Sequence, residues 1–217
     1  MRFDLTVPLA RYVVEHESKL RFPFRRYQMQ KVYRGERAQK GRYREFTQCD
    51  VDVLATEENA AYDIETMQIL YDAVRELLDT FAPSLTLLAH VNDRKIFNAI
   101  ADYLDLSEET RKKLLPLLDE FLKLPKDKFE TYATEILGEK KARFFEIFEL
   151  TPASNSFPSE AIETAYKNTG AVIESLKKAG INAIFDPYII RGQDYYTGTV
   201  FEFKIPERAD LGTISGG

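Results

Sequence analysis

The segment "VYRGERAQKGRYREFTQCDVDV" constrains the fold most, because strand-like alternation stands on both sides of a loop bracketed by Gly35 and Gly41. A strand has a period of two residues, so the polar residues Gln48, Asp50 and Asp52 of the later strand point to one face. The earlier segment "RFPFRRYQMQKVYR" alternates in the same way. The pattern predicts a long antiparallel hairpin with one polar face.

Helical spacing of apolar residues predicts helices before and after this hairpin. The predicted helices cover residues 7–16, 57–81, most of 93–150, and 158–179. Strand patterns are expected at "LTLLAHV" (85–91), "NAIFDPYII" (182–190) and "TGTVFEFKI" (197–205). Helices and strands together predict an α+β fold.

The helical block separates strands that are expected to share one sheet, which indicates an insertion. We therefore predict a catalytic core in two parts, residues 1–104 and 171–217, with a helical insertion domain at 105–170. A helical interaction module centred on that insertion would be an alternative function, although it leaves the hairpin unexplained.

Composition excludes several classes of site. Cys49 is the single cysteine and His16 and His90 are the only histidines, which argues against a disulfide framework, a zinc site and a histidine-based triad. No apolar run approaches the roughly 20 residues of a membrane helix, and the start lacks the pattern of a secretion signal. A cytoplasmic protein with no membrane partner is expected.

Charge is distributed unevenly along the 217 residues. The formal net charge is −5, yet residues 1–50 carry a balance of +6 and the remainder a balance of −11. The basic segment is expected to attract phosphate, while the acidic remainder argues against a general nucleic-acid coat.

The basic loop offers a cluster of cations rather than a glycine-rich phosphate cradle, because both common cradle motifs are absent. Tyr43 and Phe46 could give a base a stacking face. A solvated charged loop is the alternative, but the polar strand face beside it favours a pocket with a phosphate end and an amine-binding end. The basic residues are Arg34, Arg37, Lys40, Arg42 and Arg44.

Two further segments carry candidate ligand groups. In "IIRGQDYYTGTVFEF", Arg191 interrupts an apolar run and is either a surface residue or a buried arginine that faces an anion. In "RFDLTVP", Asp4 and Thr6 are predicted to share one face of a short strand, from which either could bind a ligand ammonium or hydroxyl group.

In this order the three segments resemble the class II aminoacyl-tRNA synthetases, and specifically the histidyl-tRNA synthetase family. "RFDLTVPLARY" is similar to that family's amino-acid-binding segment, "YRGERAQKGRYREFTQCDVDV" to its motif 2, and "RGQDYYTGTVFE" to its "RGLDYY" signature. The resemblance implies an antiparallel sheet flanked by helices. It also implies ATP-dependent activation of L-histidine to histidyl-adenylate and transfer to tRNA(His).

The resemblance also implies roles for individual residues. The L-histidine ligands would be Asp4 and Thr6 at the α-amino group, Gln48 at the amino-acid backbone, and Asp52 and Tyr196 at the imidazole, with Tyr195 nearby. The ATP ligands would be Arg34 at the α-phosphate, Arg42 at the distal phosphates, Glu36 at the adenine or the phosphates, and Phe46 stacked on adenine. Arg191 would lie between the substrate carboxylate and the α-phosphate, where Arg191 and Arg34 would be catalytic. ATP is expected with Mg²⁺ as its counterion, and no metal ligands are assigned.

Departures from the family pattern are also visible. Gln193 stands where the signature has leucine, and Asp4 and Asp52 stand where many bacterial members have glutamate. Motif 1, motif 3 and an anticodon-binding domain are not found, so we expect a fragment of a catalytic domain whose full-length protein is a homodimer. The alternative is a synthetase-like histidine-binding regulatory subunit of ATP phosphoribosyltransferase, but retention of Arg34, Glu36, Arg42 and Arg191 favours the synthetase.

Overall fold

The computed structural model describes residues 1–35, 37, 43–121, 123–191 and 196–217. They form two compact units, Met1–Glu76 and Leu77–Gly217. Helices and strands occur together in this part of the chain, so the predicted α+β class is confirmed. No helix within the described ranges is long and apolar enough to cross a membrane.

An antiparallel hairpin forms the centre of the first unit, as the alternation in the sequence predicts. Strands β1 (Phe24–Tyr33) and β2 (Glu45–Leu54) pair in a register that sets Arg26 opposite Asp52. Residues that lie opposite each other share a face of a sheet, so the polar residues of both strands line the same side. Helix α1 (Thr6–His16) precedes the hairpin, and helix α2 (Ala60–Phe81) follows it.

A four-stranded sheet with the order β4-β3-β5-β6 lies in the second unit. Its strands are β3 (Leu88–Asp93), β4 (Ala183–Phe185), β5 (Thr199–Lys204) and β6 (Thr213–Gly216). Strand β3 pairs with β5 and β5 with β6 in antiparallel fashion, whereas β3 and β4 are parallel. The sequence patterns predict β3 and β5 but miss β6, whose four residues are too short to show an alternation.

Between β3 and β4 the described residues form the α-helices α3 (Arg94–Tyr103), α4 (Glu108–Asp119), α5 (Lys126–Leu137), α6 (Lys141–Phe148) and α7 (Glu160–Lys178). Ser107 Oγ accepts the N–H of Thr110 at 3.2 Å and so caps α4. Gly138 follows the end of α5 with a φ of 53°, which explains why that helix stops there.

One apolar cluster joins these helices. Phe144 and Phe148 of α6 are fully buried and pack in this cluster with Ile96 of α3, Leu114 of α4 and Tyr166 of α7. The cluster therefore includes residues on both sides of position 105. The division into 1–104, 105–170 and 171–217 stays a prediction.

The strand predicted at 182–190 is mostly wrong, because β4 ends at Phe185. Asp186 Oδ1 accepts the N–H of Tyr188 at 3.1 Å, which folds the chain into a turn, and Pro187 has no N–H to give to a sheet. The buried Asn92 then donates from Nδ2 to the carbonyl oxygens of Pro187 at 2.9 Å and Ile189 at 3.1 Å. These bonds attach the segment to β3 without forming a strand.

We expect Tyr166→Phe to lower the free energy of unfolding by about 1–2 kcal/mol, because the buried hydroxyl bonds to the carbonyl oxygens that end α6. Tyr166 Oη lies 2.8 Å from the oxygen of Ile147 and 3.2 Å from that of Phe148, and burial raises the pKa of this phenol. Chemical denaturation would measure the loss. Tyr132→Phe is the control, since Tyr132 is 45% exposed, and equal effects of the two changes would contradict the prediction.

Candidate functional site

A chain of polar side chains runs along one face of the β1–β2 hairpin. On β1, Arg26 Nη1 donates to Gln28 Oε1 at 2.5 Å, and Gln28 Nε2 donates to Gln30 Oε1 at 2.6 Å. On β2, Gln48 Nε2 donates to Asp50 Oδ1 at 2.7 Å. The predicted polar face of the second strand is therefore present, and the first strand supplies a matching row of polar groups.

Asp52 lies at the far end of this polar face and forms an ion pair with Arg26. Arg26 Nη2 is 2.8 Å from Asp52 Oδ2, but the two groups are not aligned as a hydrogen bond, and Oδ2 is buried. Burial raises the pKa of Asp52, the nearby charge of Asp50 raises it further, and the charge of Arg26 opposes both. The carboxylate is thus held in a partly dry place beside a fixed cation.

The guanidinium of Arg34 lies at the opposite end of the face, between two aromatic rings. Its Cζ is 4.9 Å from the ring centre of Phe3 and 5.0 Å from that of Phe46, distances at which a cation is attracted to a ring. Arg34 Nη2 donates to Gln48 Oε1 at 3.4 Å, and its backbone N–H donates to the oxygen of Arg44 at 2.9 Å. A planar cation fixed in this way suits the recognition of an anion.

The segment that carries Asp4 and Thr6 is not a strand, so that prediction is wrong. Thr6 is the first residue of α1, and the buried Asp4 precedes the helix and accepts the N–H of Val7 at its Oδ1 at 3.2 Å. Such a bond satisfies one of the free N–H groups at a helix start. The two residues still lie beside the hairpin, because the oxygen of Arg2 accepts the N–H of Tyr33 at 2.8 Å.

Arg191 belongs to the second unit and has an unusual backbone, with a φ of 54°. Side chains other than glycine rarely adopt this conformation, so the surrounding bonds must hold it in place. Its Nη1 is 3.5 Å from Glu202 Oε1, and its Cζ is 5.4 Å from the ring centre of Tyr196. Glu202 in turn lies 3.1 Å from the Nζ of Lys204.

Gly216 on β6 closes the other side of the Arg191 guanidinium. A Cβ at this position would overlap Arg191 Nη1 and would lie 2.7 Å from the backbone oxygen of Phe201. Only glycine leaves room for the arginine here. The orientation of the Arg191 guanidinium is therefore set within the second unit by the Glu202 carboxylate, the Tyr196 ring and the absence of a side chain at Gly216.

A hydrogen-bonded pair links β3 to the turn that follows β4, where His90 Nδ1 is 2.8 Å from Asp186 Oδ2. Burial acts to raise the pKa of Asp186, but the bonds from His90 and from the N–H of Tyr188, with the charges of His90 and Lys204, outweigh it and lower the pKa. This pair fixes the start of the segment that leads to Arg191.

The predicted site residues divide between the two units. The first unit brings together Asp4, Thr6, Arg34, Phe46, Gln48 and Asp52, and the second unit holds Arg191 and Tyr196. Glu36, Arg42 and Tyr195, with Lys40 and Gln193, lie outside the described residues. Among the residues that are described, no cluster of three or more His, Cys, Asp or Glu side chains is placed to hold a metal ion.

Two charged residues of these clusters escape sequence reasoning. Arg26 lies two residues before Gln28 on β1, so the alternation places both side chains on the polar face and the side chain of Arg25 on the opposite face. Glu202 has no such signal, because its link to Arg191 depends on the pairing of β5 with neighbours that are distant in sequence.

Comparison with known proteins identifies related chains. The family model described as histidyl-tRNA synthetase matches residues 1–211. The histidine–tRNA ligase of Treponema denticola is 37% identical over the whole chain, which covers 50% of that relative. The chain thus spans about half the length of the curated relatives it matches.

Solved structures agree with this comparison. The crystal structure of histidyl-tRNA synthetase from Nostoc sp. PCC 7120 is similar over the whole chain, which covers 52% of that structure, with a TM-score of 0.80 and 27% identity. A structure from Bacillus halodurans, titled as an ATP phosphoribosyltransferase regulatory subunit/histidyl-tRNA synthetase, has a TM-score of 0.75 over 95% of this chain and 54% of that one. At 22% identity the latter supports the fold alone.

Proposed function

Because the chain belongs to the histidyl-tRNA synthetase family, we propose that it is the catalytic part of a histidine–tRNA ligase. It would activate L-histidine with ATP to give histidyl-adenylate and pyrophosphate, and then transfer the histidyl group to tRNA(His). The observation that carries this proposal is the polar face of the hairpin, which has a fixed guanidinium at one end and a half-buried carboxylate at the other.

We assign the carboxylate end of this face to the amino acid. Asp52 would accept an N–H from the imidazole, with Tyr195 and Tyr196 nearby, and Gln48 would contact the amino-acid backbone. Asp4 and Thr6 would bind the α-amino group. A buried acceptor that is left unpaired by the wrong ligand penalises that ligand strongly, and such sites reach discrimination of about 10⁴.

We assign the guanidinium end to ATP. Arg34 would bind the α-phosphate. Phe46, whose ring lies beside the Arg34 guanidinium, would stack on adenine. Glu36 and Arg42 would contact the nucleotide as the resemblance implies. Mg²⁺ would arrive with ATP as the counterion of its phosphates, and no protein ligand is assigned to it. Arg191 would stand between the histidine carboxylate and the α-phosphate.

The chemistry of the first step demands little proton transfer. The carboxylate of histidine is already a nucleophile, and its oxygen forms a bond to the α-phosphorus while the bond to the β-phosphate oxygen breaks and pyrophosphate leaves. The protein must therefore hold two anions in line and stabilise the charge on the phosphorus centre. Guanidinium groups remain charged and bind bidentately, so Arg34 and Arg191 suit this task.

The second step would use the terminal ribose hydroxyl of tRNA(His). Its oxygen attacks the activated carbonyl carbon, the bond between that carbon and the AMP oxygen breaks, and the hydroxyl proton passes to a phosphate oxygen of the departing AMP and then to solvent. We propose that this reaction takes place in the cytoplasm and that the full-length protein is a homodimer.

Exchange of labelled pyrophosphate into ATP tests the proposal, with each of the twenty amino acids tested in turn. Exchange that depends on histidine alone is the expected result. Histidine binding measured by calorimetry separates the possible failures: binding without exchange would favour a histidine-binding regulatory protein. A folded chain that neither binds histidine nor exchanges pyrophosphate would contradict the proposal.

A further inference from the structure

Arg26 is a nearly buried cation that connects three parts of the first unit. Its side chain is 11% exposed. From β1 it reaches Gln28 Oε1 on its own strand at 2.5 Å, Asp52 Oδ2 on β2 at 2.8 Å, and the backbone oxygen of Leu5 at 3.3 Å.

Stability alone is a poor reason for such an arrangement. Removing a guanidinium and a carboxylate from water often costs more free energy than their mutual attraction returns. Well-packed apolar residues in the same place frequently stabilise a protein equally well. Arg26 Nε and Asp52 Oδ2 are both buried without a hydrogen-bond partner in the described ranges, so the pairing is incomplete. An incompletely paired buried charge therefore needs an explanation other than stability.

The contact with Leu5 shows what Arg26 could be required for. Leu5 is completely buried and stands between Asp4 and Thr6, the two residues proposed for the α-amino group. Asp52 is the residue proposed for the imidazole. One guanidinium therefore donates a hydrogen bond to the segment at the amine end of the pocket and forms an ion pair with Asp52 at the imidazole end, which links the positions of the two ends.

The contact with Asp52 also selects an oxygen. Oδ2 is buried and lies 2.8 Å from Arg26 Nη2, which makes Oδ1 the oxygen that a ligand N–H would reach. The half-buried carboxylate thus has one oxygen held by the protein and one left to accept an N–H from a ligand. A carboxylate held in this way cannot rotate to bind a ligand of different length equally well.

We propose that Arg26 is the positioning residue of the amino-acid pocket, which sets the spacing between the amine end at residues 4–6 and the imidazole end at Asp52. It acts through those groups and does not contact the substrate. This inference depends on the proposed function, since it takes histidine as the ligand of the pocket.

Arg26→Leu and Arg26→Lys test the inference, with Arg25→Leu as the matched control. Arg25 is the neighbouring residue on β1, points to the other face, and forms an exposed ion pair with Glu65 at 2.6 Å. Calorimetry would measure binding of L-histidine and of ATP to each variant. We expect Arg26→Leu to weaken histidine binding by about tenfold or more, and ATP binding by less than about twofold.

The conservative and double variants separate positioning from general damage. Lysine can pair with Asp52 but cannot bond to Leu5 and Gln28 at the same time, so Arg26→Lys should recover only part of the histidine affinity. Because Arg26 acts through Asp52, adding Arg26→Leu to Asp52→Asn should cost little beyond Asp52→Asn alone. If Arg26→Leu does not fold, Arg26→Lys and this double variant, which leaves no unpaired buried charge, still decide the question.

Each outcome bears on the inference. Histidine affinity that is unchanged in Arg26→Lys and Arg26→Leu would overturn it, as would equal losses for histidine and ATP or a loss of the same size in Arg25→Leu. Full additivity with Asp52→Asn would show that Arg26 does not act through that carboxylate. If the unmodified chain fails to bind histidine, the proposed function fails first and the inference fails with it.

Discussion

Arg191→Ala is expected to reduce histidine-dependent pyrophosphate exchange by about a thousandfold, because it removes the cation that we propose to stabilise the charge that builds up in the transition state. The fold should survive this change. The backbone cost of a φ of 54° is similar for alanine and arginine, and Glu202 keeps Lys204 as a partner at 3.1 Å. Exchange rates and thermal unfolding curves, measured on the same preparations, would test both statements.

Arg208→Ala provides the matched control for this experiment. Arg208 lies in the same unit and forms an exposed pair with Asp210, with both nitrogen–oxygen distances at 2.8 Å. Exposed pairs contribute little to stability, so this variant should exchange pyrophosphate at the unmodified rate. If Arg191→Ala exchanges as fast as Arg208→Ala, Arg191 has no role in activation.

Asp52→Asn is expected to weaken histidine binding by about a hundredfold while ATP binding changes little, since an amide replaces the charged acceptor proposed for the imidazole. Asparagine keeps the shape of the side chain. Asparagine and alanine both remove the counter-charge of Arg26, and breaking a buried pair costs about 3–5 kcal/mol of stability, but the asparagine oxygen can still accept an N–H from Arg26. Thermal unfolding of the asparagine variant is therefore measured beside ligand binding, so that a loss of fold is not mistaken for a loss of affinity.

Glu45→Gln is the control for the Asp52 variant, because Glu45 lies on the same strand and pairs with the exposed Lys31 at 2.5 Å. The dependence on pH adds a second test. Burial raises the pKa of Asp52, so its carboxylate takes up a proton at a higher pH than an ordinary carboxyl group. Histidine binding should weaken as the pH falls through that raised value, and Asp52→Asn should lack this component. Equal losses of histidine and ATP affinity would contradict the imidazole contact.

The hairpin could be predicted from the sequence because its information is local. Period-two alternation alone assigns Gln48, Asp50 and Asp52 to one face, and the observed register agrees. The same rule applied to β1 places Arg26 on the polar face as well. Its ion pair needed one more step, namely the residue-by-residue register across the loop.

The segment around Asp4 shows where local reasoning failed. Thr6 and Val7 are β-branched and stand before Pro8, a combination that favours extended chain in isolation. In the fold Pro8 occupies the first turn of α1, where its missing N–H costs nothing, and Asp4 satisfies the N–H of Val7. Capping by a residue outside the helix therefore outweighed the strand propensity.

The end of β4 shows a different limit. "NAIFDPYII" has the apolar composition of a strand, but Asp186 and Pro187 form a turn whose carbonyl oxygens bind Asn92. Asn92 lies 95 residues earlier in the chain than Pro187, so no short-range pattern could show this contact. The position of Arg191 depends on it, which explains why the sequence identified the arginine but not its surroundings.

The close approach of Gly216 to the Arg191 guanidinium has an evolutionary consequence. Any side chain at position 216 would occupy the space of Arg191 Nη1, so a relative with this fold cannot carry a larger residue there and keep the arginine in the same place. On the role that we propose for Arg191, a substitution at 216 should accompany loss of activation chemistry, even where arginine is still encoded at 191. Measuring pyrophosphate exchange in relatives that differ at position 216 would test this expectation.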